Sequence, residues 1–402
     1  MSGHVRPRGK DTWLITLELG VDPVTGNRKR AYHTFRGPKR KAEAELTRLV
    51  AELNRGDYIQ PDRTTVGAYL RQWLDDHAKA KVNAKTWQRY EDIVERHLIP
   101  GLGAHKLSQL QPQHIQRYYR EALEAGRLDG KGGLSARTVN HYHRVLRSAL
   151  EQAVKWQILP RNVADLVDPP RVTQKEPTAI DERATVRLLS AIQGTSVYLP
   201  TLLAVLTGAR RGEVLALKWE DVDLQTGRLK IRRSLQELKG GRSALGFKEP
   251  KTQRGRRTIT LQPMLIQALI REKGRQAQHK LSLGPAYEDH GLICCWEDGR
   301  PMVPNQVTQT FKEHVRRLGL DIRFHDLRHS HISHLLKHGE TVNVVADRAG
   351  HADPGMTLRV YGHVLEGMER AAALRNEEAF RRAMQEAEEG DKGGTQTGTD
   401  GP

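Results

Sequence analysis

The stretch Asp168-Pro169-Pro170 to Pro177 sets three prolines among charged residues. Proline lacks an amide donor and fixes its own φ, so the run can continue neither a helix nor a central strand and predicts an extended connector at 169–176. The 402 residues are thereby divided. At roughly 100 to 200 residues per domain, this length predicts two or three units, each able to bury its own core.

Upstream of the connector the hydrophobic period changes once. Thr12 to Leu19 is rich in apolar and β-branched residues and reads as a strand; Asp22-Pro23 and Gly26-Asn27 mark a turn, and Arg30 to Phe35 reads as a second strand. Pro38 then opens a helix with Ala42, Leu46, Leu49, Val50 and Leu53 at helical spacing, so 1–60 is expected to be a small basic sheet-plus-helix module. From Thr64 onward the period is helical. Val66, Tyr69, Leu70, Trp73 and Leu74 share one face, Trp87, Tyr90, Ile93 and Val94 another, and Pro100-Gly101 is expected to end that pair. Two further helices carry Ile115 to Ala122 and Val139 to Val154, which makes 61–168 a helical bundle with its aromatics in the core.

Beyond the connector, helices are expected at Asp181–Ile192 and Tyr198–Leu206, strands at Arg228–Leu235, Phe247–Thr252 and Arg257–Leu261, and helices again to about Met384. The predicted class is mainly α with small β-sheets (α+β). Residues 177–386 form its last unit, and the Gly-, Thr- and acid-rich stretch 387–402 is expected to be disordered.

Charge narrows the partners. The chain has 65 Lys plus Arg against 48 Asp plus Glu, a formal net charge of +17, and all three units are net positive while the tail is net negative. A charge track of that length favours a polyanion, although basic surfaces also serve solubility alone. Mean hydropathy is −0.64, and the longest nearly apolar run, about 198–209, is shorter than the roughly 20 residues that cross a bilayer. Met1 to Lys10 is polar with no apolar signal core behind it, so no membrane partner and a cytoplasmic, nucleoid-associated location are expected. Cys294 and Cys295 are adjacent, where a mutual disulfide is disfavoured, and read as buried thiols.

Three clusters in the last unit carry chemistry. In Thr207-Gly208-Ala209-Arg210-Arg211-Gly212-Glu213, glycines flank adjacent arginines at the mouth of a helix; the segment reads equally as an anion-directed arginine or as a helix start with exposed cations. In Phe324-His325-Asp326-Leu327-Arg328-His329-Ser330-His331, His325 and Arg328 lie three apart on one helical face, a neutral donor or base beside a permanent cation. His325 and His329 also have metal-ligand spacing, thickened by His331, His334 and His338. Against zinc, Asp326 stands where the metalloprotease motif wants Glu, and Arg328 adds a cation. The third cluster runs from Ala349-Gly350-His351 to Tyr361-Gly362-His363. A phenol with a pKa near 10 is a nucleophile only where cations or a base favour its anion. A phosphate-directed site wants planar guanidiniums for the non-bridging oxygens, an in-line nucleophile and an acid for the leaving oxygen, and the clusters supply each type.

In order and spacing these motifs resemble the tyrosine recombinases of the phage-integrase family. The resemblance rests on Thr-Gly-Ala-Arg-Arg-Gly-Glu at 207–213, Pro-Lys-Thr at 250–252, His-Asp-Leu-Arg-His at 325–329, Gly-His at 350–351, and Tyr361 ten residues after that histidine. It implies that Arg210 and Arg328 clamp a scissile DNA phosphate, that His325 hydrogen-bonds it or helps take the tyrosine proton, and that His351 stabilises the transition state. Lys251 resembles the β-hairpin lysine that protonates the departing 5′ oxygen, with Lys248 a nearby competitor. Arg210 is favoured over Arg211 because the family's arginine directly follows Thr-Gly-x. Glu213 resembles the acidic position that orients the site. Tyr361 is the implied nucleophile, since Tyr287 lacks the preceding Gly-His.

The implied reaction is transesterification through a 3′-phosphotyrosyl bond, with no cofactor and no metal. The resemblance further implies an arm-type DNA-binding module at 1–60, a core-binding bundle at 61–168, and a clamp around double-stranded attachment-site DNA. It also implies a homo-tetramer in the synaptic complex, with helix Ala371–Met384 docking on a neighbour, and an excisionase and a host DNA-bending protein as possible partners. A sequence-specific DNA-binding protein with a decayed site, a metal-dependent phosphoesterase and a relaxing topoisomerase are the rival readings.

Overall fold

The computed structural model describes residues 3–21, 26–55, 64–173, 178–237, 245–249, 255–351, 353–366 and 369–392. The chain forms two units, Met1–Gln174 and Lys175–Pro402, mainly helical with small antiparallel sheets.

The first unit holds two separate cores. Strands Gly3–Gly9, Thr12–Val21 and Arg28–Arg36 form an antiparallel sheet in that order, and helix Lys39–Arg55 lies against it. Strand alternation turns Val5, Ile15, Leu17, Ala31 and Phe35 to one face, where Leu46 and Leu49 of the helix cover them. The register pairs Val5 with Ile15 and Leu17 with Ala31, so one apolar stripe crosses all three strands. The first strand is not legible in its own residues. Gly3–Gly9 has only Val5 as a strong apolar position, and it becomes a strand by pairing with its neighbour through a tight turn at Asp11, whose φ is 52°.

The second core is the helical bundle. Helix Val66–Trp73 starts at Thr65, which accepts the Ala68 amide at 3.2 Å, and continues through a π-turn at Leu74–Ala78 to Lys81. The next helix, Ala84–Ile93, likewise widens into a π-turn at Val94–Leu98 and runs on through Pro100 to Leu102. Pro100-Gly101 therefore does not end the helix as expected. Proline sits in the first turn after the widened segment, where its missing amide costs least. Helices Pro112–Ala125 and Ala136–Lys155 complete the bundle. Its aromatics are structural: Tyr69 donates its hydroxyl to the Ala149 carbonyl at 2.6 Å, Tyr119 shares a 2.9 Å hydrogen bond with His143, and buried Trp73 stacks on Tyr90 at 5.7 Å. Pro169 to Thr173 form neither helix nor strand.

The second unit is built around helix Tyr198–Thr207, apolar on every side and therefore interior. Strands Val222–Asp223, Arg228–Ile231 and Arg257–Thr260 form one antiparallel sheet, and Ser234–Glu237 with Leu245–Lys248 form a separate hairpin. The strand expected at Arg228–Leu235 is thus two. It breaks at Arg232-Arg233, where Arg233 is tied to Glu220 at 2.7 Å and Asp221 at 3.3 Å. Helices Pro263–Leu283 and Pro304–Arg317 flank the core, and Cys294 and Cys295 are buried free thiols. Three helices, Asp326–Lys337, Val342–Ala349 and Pro354–Glu366, enclose a smaller core of Ile332, Leu336, Val345, Ala349 and Tyr361.

The tail differs from expectation as well. Helix Glu369–Lys392 runs past 387, because Gln385, Glu386, Ala387, Glu388 and Glu389 are good helix formers whatever their net charge; 393–402 lie outside the described residues. Among the described residues no helix is long and apolar enough to cross a membrane.

Because Trp73 is fully buried in the bundle, Trp73→Ala is expected to cost about 3–5 kcal/mol of that core's stability. Calorimetry should show the loss in the transition of the first unit, with the transition of the second unchanged.

Candidate active site

Helix Tyr198–Thr207 ends at Gly208, whose φ of 65° is left-handed; a Cβ there would stand 2.5 Å from His331 Cδ2. Glycine is required on both counts. The turn leaves Arg210 extended at the mouth of the short helix Arg211–Leu215. Glu213, one turn on, reaches back: its Oε2 accepts the Arg210 amide at 2.9 Å and its Oε1 accepts Arg210 Nη1 at 2.8 Å. The two adjacent arginines separate here, because Arg211 donates to Thr308 Oγ1 on helix Pro304–Arg317.

Glu213 has a second partner. Arg257, the first residue of its strand, donates Nη2 to Glu213 Oε2 at 2.9 Å, and both side chains are only 6% exposed. Burial alone would raise the Glu213 pKa, but Arg257 and Arg210 outweigh it and hold the carboxyl at about 2. Arg257 also donates Nε to the Arg348 carbonyl at 2.8 Å.

Arg328 rises from helix Asp326–Lys337 and is buried, donating Nη1 to the Gly208 carbonyl at 2.7 Å and Nη2 to the Ala349 carbonyl at 2.6 Å. Arg210 Nη2 reaches the adjacent Gly350 carbonyl at 3.4 Å. Both guanidiniums therefore hang on the turn that closes helix Val342–Ala349, with Gly350 left-handed at φ 68°. Burial, with Arg210 and Arg257 nearby, lowers the Arg328 pKa to about 9.

The same turn delivers His351, which is buried, donates its amide to the Ala346 carbonyl at 2.9 Å and shares a 2.7 Å hydrogen bond between Nδ1 and Thr357 Oγ1. Burial and then the three arginines bring its pKa to about 4. His325, exposed at the start of helix Asp326–Lys337, is also held at about 4, by partial desolvation of the ring and by His329, Arg328 and Arg210. Both rings are neutral at pH 7.

Tyr361 is 2% exposed, and its hydroxyl shares a short hydrogen bond with His329 Nδ1. Burial raises the phenol pKa while the Arg328 charge pulls it down. Lys251 lies outside the described residues; Lys248 ends its hairpin strand opposite Ser234.

The structure thus brings Arg210, Glu213, Arg328, His325, His351 and Tyr361 to one basin. The other histidines turn elsewhere: His331 donates Nδ1 to the Val205 carbonyl at 2.8 Å and accepts Arg348 Nε at 3.2 Å, and His334 donates to the Ile180 carbonyl at 2.8 Å. Among the described residues no three His, Cys, Asp or Glu side chains gather as metal ligands. Arg257 was not predicted as a site residue, since a lone arginine at a strand start carries no local signal. His329 did carry one, its i, i+4 spacing from His325, which reads as a metal pair and serves instead as an edge-on ring contact at 5.2 Å beside the tyrosine. Three guanidiniums around one carboxylate leave the basin short of negative charge, which suits it to an anion.

Two family profiles match the chain, the phage integrase family over 178–368 and the phage integrase N-terminal SAM-like domain over 65–123. The chain belongs to the phage integrase family and is a site-specific recombinase. It is 26% identical over 375 residues to a XerC-like tyrosine recombinase of Caldanaerobacter subterraneus, covering 89% of this chain and 93% of that one. It is also 26% identical over 388 residues to an integrase of Streptomyces ambofaciens, covering 93% and 95%. Among solved structures, the Tn1549 transposon integrase in complex with transposon right end DNA superposes with a TM-score of 0.64 at 20% identity, over 77% of this chain and 100% of that one. A lambda integrase dimer bound to a COC′ core site gives 0.55 at 17%, over 89% and 93%.

Two outcomes follow from this geometry. Gly208→Ala should displace His331 or the turn carrying Arg210, lowering Tm and activity together. Because Glu213 is held at about 2 against 4.5 for an unpaired carboxyl, the stability it confers is complete above pH 4.5 and lost as pH falls toward 2. Glu213→Gln should be less stable at pH 7 and should lack that acid-dependent loss in urea titrations.

Proposed function

We propose that this recombinase integrates or excises a phage or other mobile element, cutting and rejoining DNA at attachment sites through a 3′-phosphotyrosyl intermediate at Tyr361. The observation that carries the reading is the suspension of Arg210 and Arg328 from one turn, Ala349-Gly350, in a basin that also holds the tyrosine and has more cations than anions.

In this reading Arg210 and Arg328 bind the non-bridging oxygens of the scissile phosphate, replacing the carbonyls they hold at rest. His325 and His351, neutral at working pH, donate hydrogen bonds to the same oxygens as charge develops in the pentacoordinate state. Glu213 is a positioning residue that aims Arg210 by its amide and its guanidinium at once. Tyr361 Oη forms the new bond to phosphorus, the bond to the 5′ oxygen breaks, and Lys251 supplies the proton that makes the 5′-hydroxyl. That hydroxyl then attacks the phosphotyrosyl bond on a partner strand. The ester energy is kept in the covalent intermediate, so the cycle needs neither ATP nor a metal.

The remaining assignments belong to the same proposal. Residues 1–60 serve as an arm-type DNA-binding module, 61–168 as the core-binding domain and 177–386 as the catalytic domain, with double-stranded attachment-site DNA as substrate. A homo-tetramer performs exchange, helix Glu369–Lys392 offering the exposed side chains Leu374, Phe380 and Met384 to a neighbour. An excisionase and a host DNA-bending protein set direction, and the protein works in the cytoplasm on the nucleoid.

A supercoiled plasmid carrying the coding sequence with its flanking DNA tests the chemistry. Wild-type protein should become covalently attached, in excess chelator as well as without it. Tyr361→Phe should bind the plasmid without forming the adduct; an adduct from that variant would remove Tyr361 as nucleophile. Arg210→Ala or Arg328→Ala should slow attachment by about a hundredfold to a thousandfold. Relaxation of plasmids lacking the flanking DNA at equal rate would favour a topoisomerase.

A further inference from the structure

The proposed nucleophile rests as a buried phenol, and attack on phosphorus requires that its proton leave. Burial removes water as a ready acceptor, and it disfavours the phenolate. The group in contact with the reacting oxygen is His329, whose Nδ1 shares the hydrogen bond with Tyr361 Oη. Its ring lies 5.7 Å from the tyrosine ring, centre to centre, and edge-on to His325 at 5.2 Å. His329 projects from helix Asp326–Lys337 one residue after Arg328, so the helix that carries a phosphate-directed guanidinium also carries the tyrosine's partner.

We propose that His329 is the proton acceptor for Tyr361 during cleavage and its proton donor during rejoining, a catalytic role distinct from the phosphate contacts assigned to His325 and His351. The inference rests on the reading of Tyr361 as nucleophile. In the forward step the Oη proton moves to Nδ1 of a ring protonated on Nε2, the phenolate oxygen bonds to phosphorus, the bond to the 5′ oxygen breaks, and that oxygen takes its proton from Lys251. In the reverse step the 5′-hydroxyl returns a proton to the lysine and attacks. The bond between phosphorus and Oη breaks, and Nδ1–H of the imidazolium reprotonates the phenol. No proton is gained or lost over the cycle.

The groups around His329 suit it to this exchange. Burial lowers its pKa, so the ring is neutral and able to accept at pH 7. Arg328 and Arg323 push in the same direction, while Asp326, buried at the start of the same helix, favours the imidazolium formed in the step. Asp326 is itself held by Arg323, through the backbone amide at 2.8 Å and Nη2 at 2.9 Å. From the neighbouring elements Tyr361, His325 and His351 face the ring, all three uncharged at rest.

The test uses full-length protein on the plasmid described above, with the initial rate of covalent attachment as readout. Asparagine at 329 keeps a hydrogen-bond acceptor near Nδ1 and cannot take a proton. His329→Asn is expected to melt and bind DNA as the wild type does and to attach about a hundredfold more slowly. Placing 3,5-difluorotyrosine at 361 in that variant gives a more acidic phenol and should restore about tenfold or more, because the ring then needs less help to ionise. His329→Asn within about twofold of wild type, while Tyr361→Phe forms no adduct, overturns the proton transfer and leaves the nucleophile standing. A slow His329→Asn that difluorotyrosine does not rescue also overturns it, assigning His329 to packing alone. An adduct from Tyr361→Phe overturns the nucleophile and the proton route together.

Discussion

The active basin depends on one buried anion. Glu213 lies between Arg210 and Arg257, and its two oxygens account for three N–H donors, two of them from Arg210. A carboxylate this enclosed is unfavourable without partners, and so are the arginines without it; removing either side leaves an uncompensated charge in the interior. The arrangement also fixes direction. Arg210 is held by amide and side chain together, so its guanidinium points toward the Ala349-Gly350 turn, whereas Arg211, one residue on, is drawn to Thr308. A single acidic residue thus separates two adjacent arginines, holding one toward the Ala349-Gly350 turn while the other packs against Thr308.

The carbonyls of Gly208, Ala349 and Gly350 complete that frame. They accept from Arg328 and Arg210 and join turns that are far apart in the chain. A carbonyl carries no formal charge to offset a guanidinium, and burial together with the charges of Arg210 and Arg257 lowers the Arg328 pKa. Supplying enough acidic residues to balance them would have made a more stable interior and a poorer anion site. On the proposed reading, the shortage of negative charge is a cost to folding that a bound phosphate would offset, in line with the preorganised electrostatics that phosphoryl transfer requires.

Legibility in the sequence followed the range of the interactions. Helices were readable because their stripes are local: Val66 to Leu74 and Val139 to Val154 announce their buried faces without reference to the rest of the chain. The strand Gly3–Gly9 was not, since its reason for being a strand is the ladder to Thr12–Val21 rather than its own composition. Arg228–Leu235 looked continuous because its apolar alternation is continuous, and the break at Arg232-Arg233 comes from contacts with Glu220 and Asp221. In the site, Arg210, Arg328, His351 and Tyr361 were visible through motifs whose glycines have conformational reasons, Gly208 and Gly350 both being left-handed. Arg257 was invisible because its meaning lies wholly in a carboxylate 44 residues away in the chain.

The resting site is poised by protonation rather than by charge on the reacting groups. His325 and His351 are neutral, Tyr361 holds its proton, and the permanent cations are turned to backbone carbonyls. In the proposed reaction, phosphate binding would change each of these conditions in one direction. It would draw Arg210 and Arg328 off the carbonyls, add negative charge where two imidazoles can donate, and bring phosphorus toward a phenol already in contact with a ring nitrogen. A nucleophile ionised before substrate arrived would be a buried phenolate with Arg328 as its nearby cation, a state that burial disfavours. On the proposed reading, Tyr361 stays protonated until the phosphate occupies the arginines and is ionised only in the step that uses it.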